Sequence, residues 1–193
     1  MTRGCIKATA RLLMVLAGAG SGAAMAQDLP PADGPELEEY CRNAPCRRNV
    51  VTQIRLADGR IQEESKPLHR PALVRGSLSI MLGEELVAVP DFQDEQFRGW
   101  RPPERREPSR NPVLTFKLNQ ESDASVAASI SNSGPDPIKL RLYVRSPGAS
   151  EGEYTSSCPV LSGGTVYEYW NRPVVEVIVV EAILLEDDAL LCD

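Results

Sequence analysis

Asn111–Arg145 reads NPVLTFKLNQESDASVAASISNSGPDPIKLRLYVR, and its alternation decides the fold class. Leu114, Phe116 and Leu118 alternate with Thr115, Lys117 and Asn119, and Val126, Ala128 and Ile130 repeat the pattern more weakly. After the turn-rich Asn132–Pro137, Ile138, Leu140, Leu142 and Val144 alternate with Lys139, Arg141, Tyr143 and Arg145. A period of two sends successive side chains to opposite faces, so these are strands with one dry face and one wet face.

Downstream, Ser146–Ser157 is rich in glycine, serine and glutamate and reads as a surface loop, followed by a strand around Val166–Trp170. The run from Val174 to Leu185 is apolar on both faces, which predicts a central strand covered on each side. Glu176 and Glu181 interrupt it, excluding a membrane-spanning helix, and read as gatekeepers or as groups reaching the sheet rim.

Upstream, Val50–Leu56 alternates and meets Asp58-Gly59, a pair suited to a tight hairpin turn. The return strand, Arg60–Ser65, has a single large apolar residue, Ile61, and so reads as an edge strand, followed by a loop over Lys66–Pro71. Leu78–Leu82 and Leu86–Val89 predict a second hairpin around Gly83-Glu84-Glu85. Asp91–Pro112 mixes acids, arginines and prolines and reads as a long connection from one sheet to another, or as an exposed functional loop. Short strands joined by turn signals, with almost no helical periodicity, predict an all-β antiparallel sandwich of about seven to nine strands.

Ile130–Ile138, which ends one strand in Asn-Ser-Gly and starts another after a proline, resembles the central strand pair of many immunoglobulin-like sandwich domains on exported proteins. The resemblance implies an immunoglobulin-like architecture. No tryptophan is placed to pack on a cysteine pair bridging the sheets, so the antibody-type pattern is absent.

The first 26 residues carry Arg3, Lys7 and Arg11, an apolar run Leu12–Ala17 and Ala24-Met25-Ala26, the signature of a secretory signal peptide cleaved near Ala26/Gln27. The apolar run is too short to span a bilayer, and Cys5 precedes it, so neither a retained anchor nor a lipid attachment is expected. Residues 27–46 form a proline- and acid-rich leader with one helical turn near Glu36–Tyr40, and residues 47–193 form one domain. The whole chain of 193 residues has a formal charge of −6, and losing the three positive charges of the signal leaves −9. That balance disfavours nucleic acid and anionic membrane surfaces as partners.

Four cysteines remain after cleavage, an even number that predicts disulfides in an exported chain. Three pairings are possible, and Cys41–Cys46 with Cys158–Cys192 is favoured because it joins sequence neighbours and ties the C-terminus to a loop. A zinc site on Cys41 and Cys46 would need the distant Cys158, Cys192 or the single histidine, His69. Neither a metal nor another cofactor is expected.

No catalytic constellation emerges. His69 sits among prolines and reads as a surface residue, no Gly-x-Ser-x-Gly elbow presents a serine, and adjacent carboxylates on strands point to opposite faces. Two features stand out for binding. Lys139, Arg141 and Arg145, with Tyr143, form a basic stripe expected on an outer face, and Trp100 lies among Arg101, Arg105 and Arg106 in a segment able to meet a glycan, a peptide or an anionic envelope polymer. The expected function is an exported, non-catalytic module that binds another envelope protein or polymer in the periplasm or outside the cell; the alternative is an unrecognised envelope hydrolase.

Overall fold

The computed structural model describes residues 33–185, except 75, 107, 109, 110, 123 and 124, together with residue 192. The signal peptide and the start of the leader lie outside the described residues, as does Arg110 of the arginine-rich segment. Helix α1 (Gly34–Tyr40) falls where one helical turn was expected, with Leu37 buried. Twelve strands follow: β1 (Arg47–Arg55), β2 (Ile61–His69), β3 (Leu73–Val74), β4 (Ser77–Met81), β5 (Glu85–Gln93) and β6 (Gln96–Arg101). The second half supplies β7 (Leu114–Ser122), β8 (Ser125–Asn132), β9 (Ile138–Arg145), β10 (Glu153–Ser156), β11 (Thr165–Trp170) and β12 (Glu176–Leu184).

Two five-stranded antiparallel sheets, in the orders β10-β9-β12-β4-β3 and β11-β8-β7-β5-β6, make a sandwich-like body, and β1 and β2 form a separate ribbon. The alternating residues of the deciding stretch meet in one core: Leu114, Phe116, Leu118 and Ile130 come from one sheet and Ile138, Leu140, Leu142 and Val144 from the other. β12 lies in the middle of its sheet, as its doubly apolar sequence predicts, with Val177 and Val179 buried among the same residues.

The crossing between the sheets after β8 is fixed by one side chain. Asn132 donates from Nδ2 to the Asp136 and Val160 carbonyls (2.8 and 3.2 Å) and accepts the Gly134 amide on Oδ1 at 2.8 Å. Gly134 is required by space, since a Cβ there would lie 2.4 Å from Pro112 Cα.

Several local expectations are corrected. The strand count exceeds seven to nine because β3 and β10 are very short and Asp91–Pro112 holds a strand of its own. Leu78–Leu82 and Leu86–Val89 are no hairpin: β4 pairs with β12 and β3, whereas β5 pairs with β7 and β6. The corner holds because its amides bond different sheets, Leu82 N to Val175 O at 3.0 Å and Gly83 N to Leu118 O at 2.7 Å. Asp91–Pro112 does not cross between sheets. β5 runs on to Gln93, turns at Asp94 and Glu95, both at positive φ (50° and 62°), and returns as β6. Acidic residues adopt that backbone at a tight hairpin without the glycine that would have advertised it. The ribbon turns at Asp58-Gly59 as expected, but β2 extends through Lys66 to His69 and lies apart from both sheets instead of forming the edge of one.

Candidate functional site: a sealed charge cluster and an open sheet edge

The ribbon is tied down by charge. In β12, Glu176 stands directly opposite Arg145 of β9, and Arg145 Nε donates to Glu176 Oε2 at 2.7 Å. His69, the last residue of β2, places Nε2 3.1 Å from Glu176 Oε1, and Ser79 of β4 donates its hydroxyl to the same oxygen at 2.6 Å. Arg145 Nη1 reaches Glu64 of the ribbon at 2.9 Å. Arg47, at the start of β1, donates to Ser79 Oγ at 3.1 Å, to the Ser79 carbonyl and to Glu84 at 2.7 Å. Near the far end of the ribbon, Gln120 Nε2 of β7 donates to the Arg55 carbonyl and Gln120 Oε1 accepts the Arg55 amide, so the ribbon is held to both sheets.

Burial pushes the Glu176 carboxyl up, but the hydrogen bond and charge of His69, the Arg70 guanidinium and the Ser79 hydroxyl overcome it and hold the group well below the ordinary carboxylate range. An ionised Glu176 only accepts, so Nε2 of His69 carries the proton between them. Burial also lowers Arg70, against the opposing pull of Glu176. The three groups Ser79, Glu176 and His69 are in the wrong order for nucleophilic catalysis: the carboxylate stands between serine and imidazole, and the serine proton points at the carboxylate. All three are buried.

These findings correct the reading of three residues. His69 is not a surface residue but fully buried, Arg145 is 1% exposed and leaves the outward basic stripe, and Glu176 is an internal anchor instead of a group at the sheet rim. Alternation alone could not show this, because it gives the face of a strand and not what covers that face. The stripe reduces to Lys139, half-buried, and Arg141, exposed and paired with Glu181 at 2.9 Å.

The arginine-rich segment also divides. Trp100 is buried in the core, edge-on to Phe97 and Phe116 with ring centroids 5.3 and 6.0 Å away. Arg105 and Arg106 are exposed beyond the end of β6, so the ring and these cations are not brought together. Arg101 is half-buried and borders a cavity of about 190 Å³ with Asp91, Asn111 and Asp136. The expected cysteine pairs are both joined, Cys41 to Cys46 and Cys158 to Cys192, with S–S distances of 1.95 and 2.12 Å. Two such pairs suggest an oxidising, exported compartment, and no described helix is long and apolar enough to cross a membrane.

The sequence reading missed β11 as a surface. It forms the edge of its sheet, and its outward residues Thr165, Tyr167 and Tyr169 are exposed, the two tyrosine rings stacked with centroids 6.4 Å apart. Its opposite-facing residues Val166 and Trp170 pack against the core, and Glu168 accepts the Cys158 amide at 2.7 Å. The signal was present as Thr-Val-Tyr-Glu-Tyr-Trp, an alternating run whose outward positions hold aromatic rings instead of charges. No protein-family model matches this chain, and comparison with curated proteins and with solved structures likewise yields no match.

Proposed function

We propose that this chain is an exported, non-catalytic binding module of the bacterial periplasm or cell envelope, built as an immunoglobulin-like sandwich, whose work is to hold another envelope component. The observation that carries the reading is a contrast among the described residues. The densest cluster of titratable groups, around Glu176, is sealed inside and consumed in holding the ribbon, whereas two tyrosines stand in solvent on an edge strand. The paired cysteines and the signal-like N-terminus support export.

Two measurements test it. Residues 1–26 fused to a reporter that is active only after export should give activity, and an inactive fusion removes the envelope from the account. The oxidised mature protein, immobilised and exposed to fractionated envelope proteins and polymers, should retain a defined component saturably. Absence of any retained component would end the binding-module reading. Unchanged retention after Arg105→Glu and Arg106→Glu is expected, because these side chains stand apart from the tyrosine edge in sequence and strand.

A further inference from the structure

The two sheets have four edges, and three of them are blunted. β3 is two residues long and β10 four. β6 has a register shift opposite Asp91/Phe92 and carries Arg98 and Arg101. β11 differs: six residues pair with β8 in unbroken register, with no proline, lysine or arginine among them. Bulges, short strands and basic residues are usual means of keeping an edge from accepting another strand, and β11 has none of these three; its single charge, Glu168, faces inward and accepts the Cys158 amide.

The backbone points the right way. Gly164 accepts the Asn132 amide through its carbonyl, which sets the phase of the ladder. Amide and carbonyl directions alternate along an antiparallel strand, so Val166, Glu168 and Trp170 bond β8. The amides and carbonyls of Thr165, Tyr167 and Tyr169 then face away from β8, on the side where no described strand pairs with β11, and belong to the residues whose side chains are exposed.

We propose that β11 is a strand-acceptor edge, to which an extended segment of another polypeptide adds antiparallel, with apolar or hydroxyl residues at most positions and a basic residue opposite Glu168. The proposal rests on the binding-module reading and names its partner class. Charge complementarity selects the basic residue, because Glu168 is the one charged side chain of the strand and the whole chain carries −6. Among pairings with a second copy, the register that sets Tyr167 against Tyr169 also sets Glu168 directly opposite Glu168, a destabilising arrangement, and association between copies in any register is one outcome of the test below. In an added strand, alternate side chains lie beside the two tyrosines and the others beside Val166, Glu168 and Trp170, as strand addition elsewhere combines backbone bonding with side-chain selection.

The test uses the full mature protein in oxidised form and the capped peptide Val-Thr-Lys-Thr-Val-Thr, which puts lysine opposite Glu168 when paired antiparallel. Saturable binding is expected, with hydrogen exchange at the amides of Thr165, Tyr167 and Tyr169 slowed about tenfold or more. Replacing the peptide lysine by glutamate should weaken binding about tenfold, and methylating alternate peptide nitrogens should abolish it. Tyr167→Pro removes an outward amide at an edge position where proline is tolerated, and should abolish binding in a folded protein. Thr165→Pro serves the same purpose if the first variant does not fold. The proposal is overturned if those three amides are not slowed, if the methylated peptide binds equally well, or if both proline variants fold and still bind. It is equally overturned if β-linked oligosaccharides bind through the tyrosines while the peptide does not, or if the only association seen is between copies of the chain. Envelope binding that survives the proline variants would leave the binding-module reading standing and remove the edge from it.

Discussion

Arg145 and Glu176 are directly opposed across the β9–β12 pair and joined Nε to Oε2 at 2.7 Å, with neither side chain more than 1% exposed. The pair has further partners on each side, Glu64 for the arginine and His69 and Ser79 for the glutamate, so its removal strands several groups at once. Breaking a buried pair by deleting one member costs about 3–5 kcal/mol, because the other charge remains in place without its counterion. Arg145→Ala and Glu176→Gln should each lower the free energy of unfolding, measured by denaturant titration, by an amount in that range. The double replacement Arg145→Met with Glu176→Leu should cost less than the sum of the single changes. Losses near zero for both single variants would mean that the ribbon is not anchored through this pair.

Acid should release the same anchor. The Glu176 carboxyl lies below its ordinary value of 4.5 in the folded chain, so in acid the unfolded state binds a proton that the folded state refuses. Its contribution is therefore present above the unfolded value and is lost as pH falls below about 4.5 toward the folded value. Glu168 has the opposite sign, because burial raises its carboxyl against the pull of the Cys158 amide. Its contribution is present below the unfolded value and is lost as pH rises through the raised one. Stability measured from pH 6 to pH 3 should fall for the parent protein, and fall less steeply for Glu176→Gln. Parallel slopes in the two proteins would assign the acid sensitivity to other carboxylates.

Much of this architecture is legible in the residues. Period-two alternation predicts β7, β8 and β9, the doubly apolar run predicts the central place of β12, and cysteine spacing predicts both pairs. What escapes is whatever depends on a third element. Alternation places Arg145 on the wet face of β9, and that face is wet only until the β1–β2 ribbon covers it. Proline neighbours suggest an exposed His69, yet β2 delivers it beneath the ribbon onto Glu176. The β4–β5 corner looks like a hairpin because two alternating runs flank a glycine, and only the separate bonding of Leu82 and Gly83 sends the chain from one sheet to the other.

The two disulfides should contribute unequally. Cys41–Cys46 spans 5 positions and Cys158–Cys192 spans 34. In the chain-entropy treatment these loops contribute about 2 and 4 kcal/mol respectively by restricting the unfolded chain. Replacing each pair by alanine and comparing unfolding free energies should give the larger loss for Cys158–Cys192. Mass spectrometry of the oxidised mature protein after thiol alkylation should show no labelled cysteine. Labelling of two would contradict at least one pairing, and labelling of all four would contradict both.

Trp100 separates the arginine-rich segment into a packed part and a solvated part. The ring lies edge-on between Phe97 and Phe116, with its indole nitrogen buried and without a hydrogen-bond partner among the described residues, so its removal should be felt in packing. Truncating a buried aromatic residue costs about 3–5 kcal/mol, through lost transfer energy and the cavity left behind. Trp100→Ala should show that loss in denaturant titration, and Trp100→Phe a smaller one. Arg105→Glu and Arg106→Glu, at exposed positions, should stay within about 0.5 kcal/mol of the parent. A Trp100→Ala variant as stable as the parent, but defective in envelope binding, would instead return the tryptophan to the binding surface.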